Sequence, residues 1–169
     1  MSQRARRVSE SVPARQQGVW TPGGLADYED SLLMDTHAWI WFLEGDGSHW
    51  ARETKALLER SAARSRLFVC DISCWEVALK AAKGKLHLSV DATVWLNQSE
   101  TAADIRFRPL TRVVLLQSTL FAEDAPADPV DRMLMAMARI DSIPLVTADR
   151  RIIEYARRHR DTPVVDIRP

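Results

Sequence analysis

Residues 128–149, DPVDRMLMAMARIDSIPLVTAD, constrain the fold of this chain more than any other stretch. Asp128 can cap a helix, and Pro129 suits the first helical position. Val130, Met133, Leu134, Met137 and Ile140 then recur at helical spacing and mark the face expected to enter a core. The IPLV that follows is too short for a helix and does not alternate, so it predicts a strand buried on both faces. A capped helix turning quickly into such a strand is a piece of α/β architecture. In an open α/β sheet, ligand sites lie beyond the carboxyl ends of the strands. Asp149 stands just past this strand, and Asp131, in the first helical turn, could be brought beside it.

The rest of the chain repeats the alternation. Strands are predicted at residues 31–34 (SLLM), 67–70 (LFVC), 105–110 (IRFRPL) and 163–167 (PVVDI). Helices are predicted at 36–43, at 48–63 with Ser48 as cap, from Ser73 to a stop at Gly84, at 90–101 and at 150–158. Residues 111–121 fit strand or helix; helix keeps the alternation intact. The expectation is an α/β protein: a three-layer α/β/α sandwich around a mostly parallel sheet of four to five strands. Residues 30–169 form that domain. Residues 1–29 read as a disordered or loosely held arm, with Arg4, Arg6, Arg7 and Arg15 against Glu10 near its start.

The 23 basic and 23 acidic residues cancel, so any surface for nucleic acid must be local. Cys70 and Cys74 are too few for a disulfide framework, and their spacing is neither a redox nor a zinc signature. Two reduced thiols, no apolar run long enough to span a bilayer and no signal segment predict a cytoplasmic protein without a membrane role.

Four acids fall at comparable places: Asp35 after the first strand, Glu76 near the start of the third helix, Asp131 and Asp149. Each has a bland reading. Asp35 and Asp149 are good N-caps. Ser73-Cys74-Trp75-Glu76 is a formal capping box, and Asp128 to Asp131 has the same spacing. Both readings can hold together, since a helix start is a rigid mount for a ligand. Two carboxylates about 5 Å apart repel by roughly 3 kcal/mol at an effective dielectric of 20. Four around one pocket call for a cation, and hard oxygen donors favour Mg²⁺ or Mn²⁺ over zinc. Residue physics thus reaches metal-dependent phosphate chemistry and stops there.

At these residues the chain resembles the PIN-domain nucleases, most closely the VapC-type toxins of bacterial toxin–antitoxin pairs. The matching text is LLMDTHAWIWFL, ISCWEVALKAAKGKL, DPVDRMLMAMA and LVTAD, in that order. The resemblance implies a PIN-like fold and an endoribonuclease using Mg²⁺ or Mn²⁺. It implies four catalytic, metal-holding acids: Asp35, Glu76, Asp131 and Asp149. Thr147 matches a hydroxyl position of the family's site, and Asp128 is a possible supporting acid. His37 fits the group's DTH variant. An RNA substrate, a small VapB-like antitoxin and a homodimer are the implied partners. The alternative is a non-catalytic PIN-like module that binds RNA or protein, its acids serving as caps.

Other enzyme classes fit less well. A haloacid-dehalogenase-like phosphatase needs an acid two residues after its nucleophile, where His37 stands. A receiver domain needs paired acids where Asp35 is alone, and no Gly-rich loop suggests an NTPase. Arg150 and Arg151, directly after Asp149, are candidate phosphate-binding residues. Residues 150–169 carry six Arg against Glu154, Asp161 and Asp166, a surface for RNA or an acidic antitoxin segment. Trp39, Trp41, Trp75 and Trp95 could stack on bases, but their apolar helices point to core or partner-binding positions.

Overall fold

The computed structural model describes residues 31–45, 50, 52–101 and 105–168, together with the backbone of 19–20. In chain order the elements are β1 (Val19–Trp20), β2 (Leu32–Met34), α1 (Thr36–Glu44), α2 (Arg52–Ala63), β3 (Leu67–Cys70), α3 (Asp71–Ala82) and α4 (Ala92–Thr101). Then follow β4 (Ile105–Arg108), α5 (Arg112–Ser118), α6 (Pro129–Asp141), β5 (Leu145–Thr147), α7 (Arg150–His159) and β6 (Val164–Asp166). All strand pairs are parallel, in the order β1-β6-β5-β2-β3-β4.

Alternation along the strands builds the layers. Leu32 and Met34 of β2 point into one core with Trp39, Leu57, Leu58, Val77 and Trp95. Leu33, between them, points into the other with Leu134, Met135, Ile152 and Ile153. Val146 and Leu145 of β5 divide the same way. A sheet buried on both faces explains why its strands read as unbroken apolar runs. Helices α1, α2 and α4 cover one face, and α5, α6 and α7 the other. This is the expected α/β/α sandwich.

The chain lays down β2, β3 and β4 in one direction, then returns to place β5 on the free side of β2. The β2–β5 boundary is the topological switch point, where a crevice opens beyond the carboxyl ends of the strands.

Several local readings are refined. Five strands meet the expectation, and β1 adds a sixth of two residues, with Val19 opposite Val164 and Trp20 opposite Val165. The remainder of the proposed arm lies outside the described residues, as does Ser48. Helix α3 starts at Asp71, directly after β3, with Cys70 in the cap position. Ser73 is therefore inside the helix and caps nothing, and Glu76 sits in the second turn rather than the first. Gly84 does end this segment: its φ of 64° is left-handed, and Lys85 N–H bonds back to the Lys80 carbonyl at 2.9 Å. In α6 the buried stripe runs through Leu134, Met135, Ala136, Met137 and Ala138, while Ile140 is 42% exposed. Ile140 lies in the last turn, beyond the reach of the layer that α6 covers. No described helix is long and apolar enough to cross a membrane.

Candidate functional site

Strand β2 delivers Asp35 to the switch point. Its N–H continues the ladder by donating to the Val146 carbonyl at 3.0 Å, which fixes the backbone against β5. Its carboxylate caps α1, accepting the Ala38 N–H at 2.6 Å, and is buried. The Thr147 hydroxyl favours the ionised form of this carboxylate. Thr147 is fully buried at the end of β5, and its Oγ1 accepts the Asp149 N–H at 3.0 Å. One hydroxyl thus acts on both strand-end aspartates. Asp149 caps α7, accepting from Arg151 N–H at 2.7 Å and Ile152 N–H at 3.2 Å.

Glu76 reaches the same region from α3. Its Oε2 accepts the Thr36 hydroxyl at 2.6 Å, and Thr36 Oγ1 lies 3.0 Å from the Ser73 hydroxyl. Its Oε1 pairs with Lys80 Nζ at 2.6 Å, one turn along the helix. The start of α6 supplies the rest. Exposed Asp128 is the N-cap, accepting from Val130 N–H at 2.8 Å, and Pro129 occupies the first turn. Asp131 is then carried inward.

Asp131 is strongly perturbed as well. Burial, then the charges of Asp128, Asp149, Asp35 and Glu76, push its carboxyl up to about 7. The carboxylate finds no hydrogen-bond donor or cation among the described residues. Asp35 is shifted the same way, chiefly by burial, with Glu76 adding repulsion and Thr147, Ala38 and His37 opposing it. The charges of the other four acids therefore reach Asp131, and that of Glu76 reaches Asp35. Capping accounts for Asp35, Asp128 and Asp149 but for neither Glu76 nor Asp131.

A buried carboxyl raised by four like charges is what a divalent cation would relieve. The donors are hard oxygens, suited to Mg²⁺ or Mn²⁺. Among the described residues, no three His, Cys, Asp or Glu side chains are already arranged as a metal-holding group. The acids share a field without forming a closed coordination shell. The cysteines offer no alternative chemistry: both are free, and burial pushes both thiols up to about 11.

Residues 32–158 match the PIN domain family. The chain belongs to that family. It is 28% identical over 134 residues to the Ribonuclease VapC22 of Mycobacterium tuberculosis (strain ATCC 25618 / H37Rv), spanning 77% of this chain and 92% of that one. Its fold is similar to the DNA-bound VapBC of Salmonella typhimurium, with a TM-score of 0.58, 17% identity and coverage of 80% of this chain and 97% of that one. FitAcB of Neisseria gonorrhoeae is similar at a TM-score of 0.56 and 19% identity, over 80% of this chain and 96% of that one.

Around the acids of this PIN domain, Arg150 and Arg151 are exposed in the first turn of α7 and pair with no carboxylate among the described residues. Other C-terminal arginines are engaged: Arg157 and Arg168 with Asp166, and Arg158 with Asp124. The basic charge read there that no carboxylate offsets by pairing is carried by Arg150, Arg151 and Arg160 among the described residues. Of the tryptophans, Trp39 and Trp95 are core residues, while Trp75 is 55% exposed. His37 is exposed, its Nε2 3.4 Å from Lys80 Nζ. The sequence reading missed Thr36 and Lys80. Lys80 stands four residues after Glu76, a helical pairing distance that could have shown it. Thr36 touches Glu76 only through the fold.

Proposed function

We propose that this PIN domain is an endoribonuclease that hydrolyses RNA phosphodiester bonds with bound Mg²⁺ or Mn²⁺. It acts as the toxin of a toxin–antitoxin pair and is restrained by a small VapB-like antitoxin. The observation that carries the reading is Asp131: a carboxyl without a donor among the described residues, pushed up to about 7 by burial and then by the charges of Asp128, Asp149, Asp35 and Glu76. The likeness to Ribonuclease VapC22 supports RNA as the substrate class, and the fold shared with VapBC supports an antitoxin partner.

Asp35 and Asp131 are assigned as direct metal ligands, with Glu76 and Asp149 acting as ligands or through water. A divalent ion bound there supplies charge to the phosphate and acidifies a water molecule. Thr147 holds Asp35 and Asp149 in register. Thr36 and Lys80 hold Glu76. Asp128 fixes the start of α6 and so the position of Asp131. One carboxylate accepts the proton of the attacking water, and Arg150 and Arg151 steady the phosphate as charge develops. Single-stranded or looped RNA fits best, because its backbone can enter a crevice.

A second reading, a non-catalytic binding module, has one observation in its favour: three of the acids do cap helices. Purified protein incubated with RNA and Mg²⁺ separates the two. Cleavage that EDTA abolishes and Asp131→Asn removes supports the nuclease. Intact RNA at every metal concentration supports the binding module.

The homodimer is part of the same proposal. Of the early tryptophans, Trp41 and Trp50 are partly buried, and Trp39 does not supply its surface, since it is buried. Helix α5 and the residues after it do: Val113, Leu116 and Leu120 are 57%, 68% and 67% exposed.

A further inference from the structure

A cleft of about 250 Å³ lies between α3 and the start of α6. Its walls are apolar: Trp75 and Leu79 on one side, Pro129 and Val130 on the other. Lys80, Lys83 and Lys85 bring positive charge to its lining. Glu76 and Asp128, two acids of the site described above, line it as well. Lys80 already serves Glu76, whereas Lys83 and Lys85 are exposed and pair with no carboxylate among the described residues. Trp75 leaves a large indole surface in water on a helix whose neighbouring Ser73 and Val77 are fully buried. Burying such a surface needs a ligand with a flat apolar face.

We propose that this cleft is a nucleotide subsite: one unstacked base of single-stranded RNA lies against Trp75, with its flanking phosphates on Lys83 and Lys85. The inference rests on RNA being the substrate. Stacking on an indole is available to every base, so the contact holds the strand without choosing its sequence. The volume suits one planar ring system rather than a larger ligand. A base in a duplex cannot present its face, so the subsite selects single strands. Because Glu76 and Asp128 line the cleft, a nucleotide seated there brings its neighbouring phosphodiester close to the carboxylates. An acidic protein segment would satisfy the lysines but leave the indole face without a stacking partner.

The test is binding of a short, dye-labelled phosphorothioate oligouridylate, which resists cleavage, in the presence of Mn²⁺. Trp75→Ala should weaken binding about tenfold, and Trp75→Phe should restore much of it. Lys83→Glu combined with Lys85→Glu should weaken binding and flatten its salt dependence. All three residues are exposed, so melting temperatures should stay near wild type. Unchanged affinity in Trp75→Ala would overturn the proposal. So would a polyglutamate peptide that loses binding in Trp75→Ala while the oligonucleotide keeps it; that pattern assigns the cleft to a protein segment. Cleavage of ordinary RNA by wild type is scored separately. Trp75-dependent binding without cleavage keeps the subsite and removes the nuclease reading. Cleavage with Trp75-independent binding does the reverse.

Discussion

Thr36 donates its hydroxyl to Glu76 at 2.6 Å, joining the first turn of α1 to the second turn of α3 across 40 residues of chain. With Lys80 on the other carboxylate oxygen, Glu76 has little freedom to move. Thr36→Val keeps the shape and removes the donor. It should cost about 1–3 kcal/mol, because Glu76 and the Ser73 hydroxyl each lose a buried partner. RNA cleavage should fall with it, and Thr36→Ser should restore both. Thermal melting alongside a cleavage assay checks this. A Thr36→Val protein equal to wild type in both would mean that Lys80 alone positions Glu76.

Asp131→Asn sets the site against simple helix capping. As a metal ligand, its loss should lower Mg²⁺-dependent RNA cleavage by orders of magnitude. As a first-turn dipole acid, it should cost only about 0.3–1 kcal/mol of stability and leave activity alone. In EDTA the variant should melt above wild type, because a crowded charge is gone. Paired cleavage and melting measurements decide the matter, and a variant that cleaves like wild type removes Asp131 from the site.

The metal-free protein should lose stability as pH rises from about 4 to about 7. The Asp131 carboxyl is held at about 7 in the folded protein, against 3.8 ordinarily. Below the lower value both states are protonated and the group has no effect. Between the two values the unfolded chain ionises first, so folding becomes less favourable. Above the upper value the penalty levels off, at roughly 4 kcal/mol. Asp35 acts in the same direction. Asp124 and Asp166 are lowered, so their contribution is lost only on the acid side of this window. Melting in EDTA across this range should show the decline, Asp131→Asn should flatten it, and Mn²⁺ should reverse it. A flat wild-type profile would show that Asp131 ionises freely.

Much of this was open to local reading. Asp128, Pro129 and the strand-end aspartates announce themselves because capping and buried strands depend on a few adjacent residues. Ser73 misled for the same reason: the spacing of a capping box is present, but β3 runs straight into α3, and Asp71 and Ile72 take up the first turn. Its hydroxyl meets Thr36 instead. Ile140 shares the apolar period of α6, yet periodicity cannot show where the covering layer ends. Trp75 lies in an apolar helix, but an indole's exposure depends on what packs across from it, and there the molecule has a cleft.

Removing the first 29 residues should change the melting temperature by only a few degrees. The described pairing of this stretch is two residues at the edge of the sheet, Val19 with Val164 and Trp20 with Val165. Comparing full-length protein with a chain starting at Asp30 tests it. A large drop would reveal that the arm packs on the core.

Leu116→Asp with Leu120→Asp should yield a monomer by light scattering at tens of micromolar, where wild type should be a dimer. Both side chains are largely exposed, so the fold should survive the change. A wild-type monomer at that concentration rejects the dimer.

The position of β2 at the switch point has a consequence for how the protein comes into being. A nascent chain on the ribosome completes β2, β3 and β4 early and can bring Asp35 and Glu76 together. Asp131 and Asp149 arrive only when α6 and β5 have emerged and closed on the far side of β2. A translation product interrupted before α6 therefore carries half a set of carboxylates, and the proposed toxic activity begins only once β5 and Asp149 have been made.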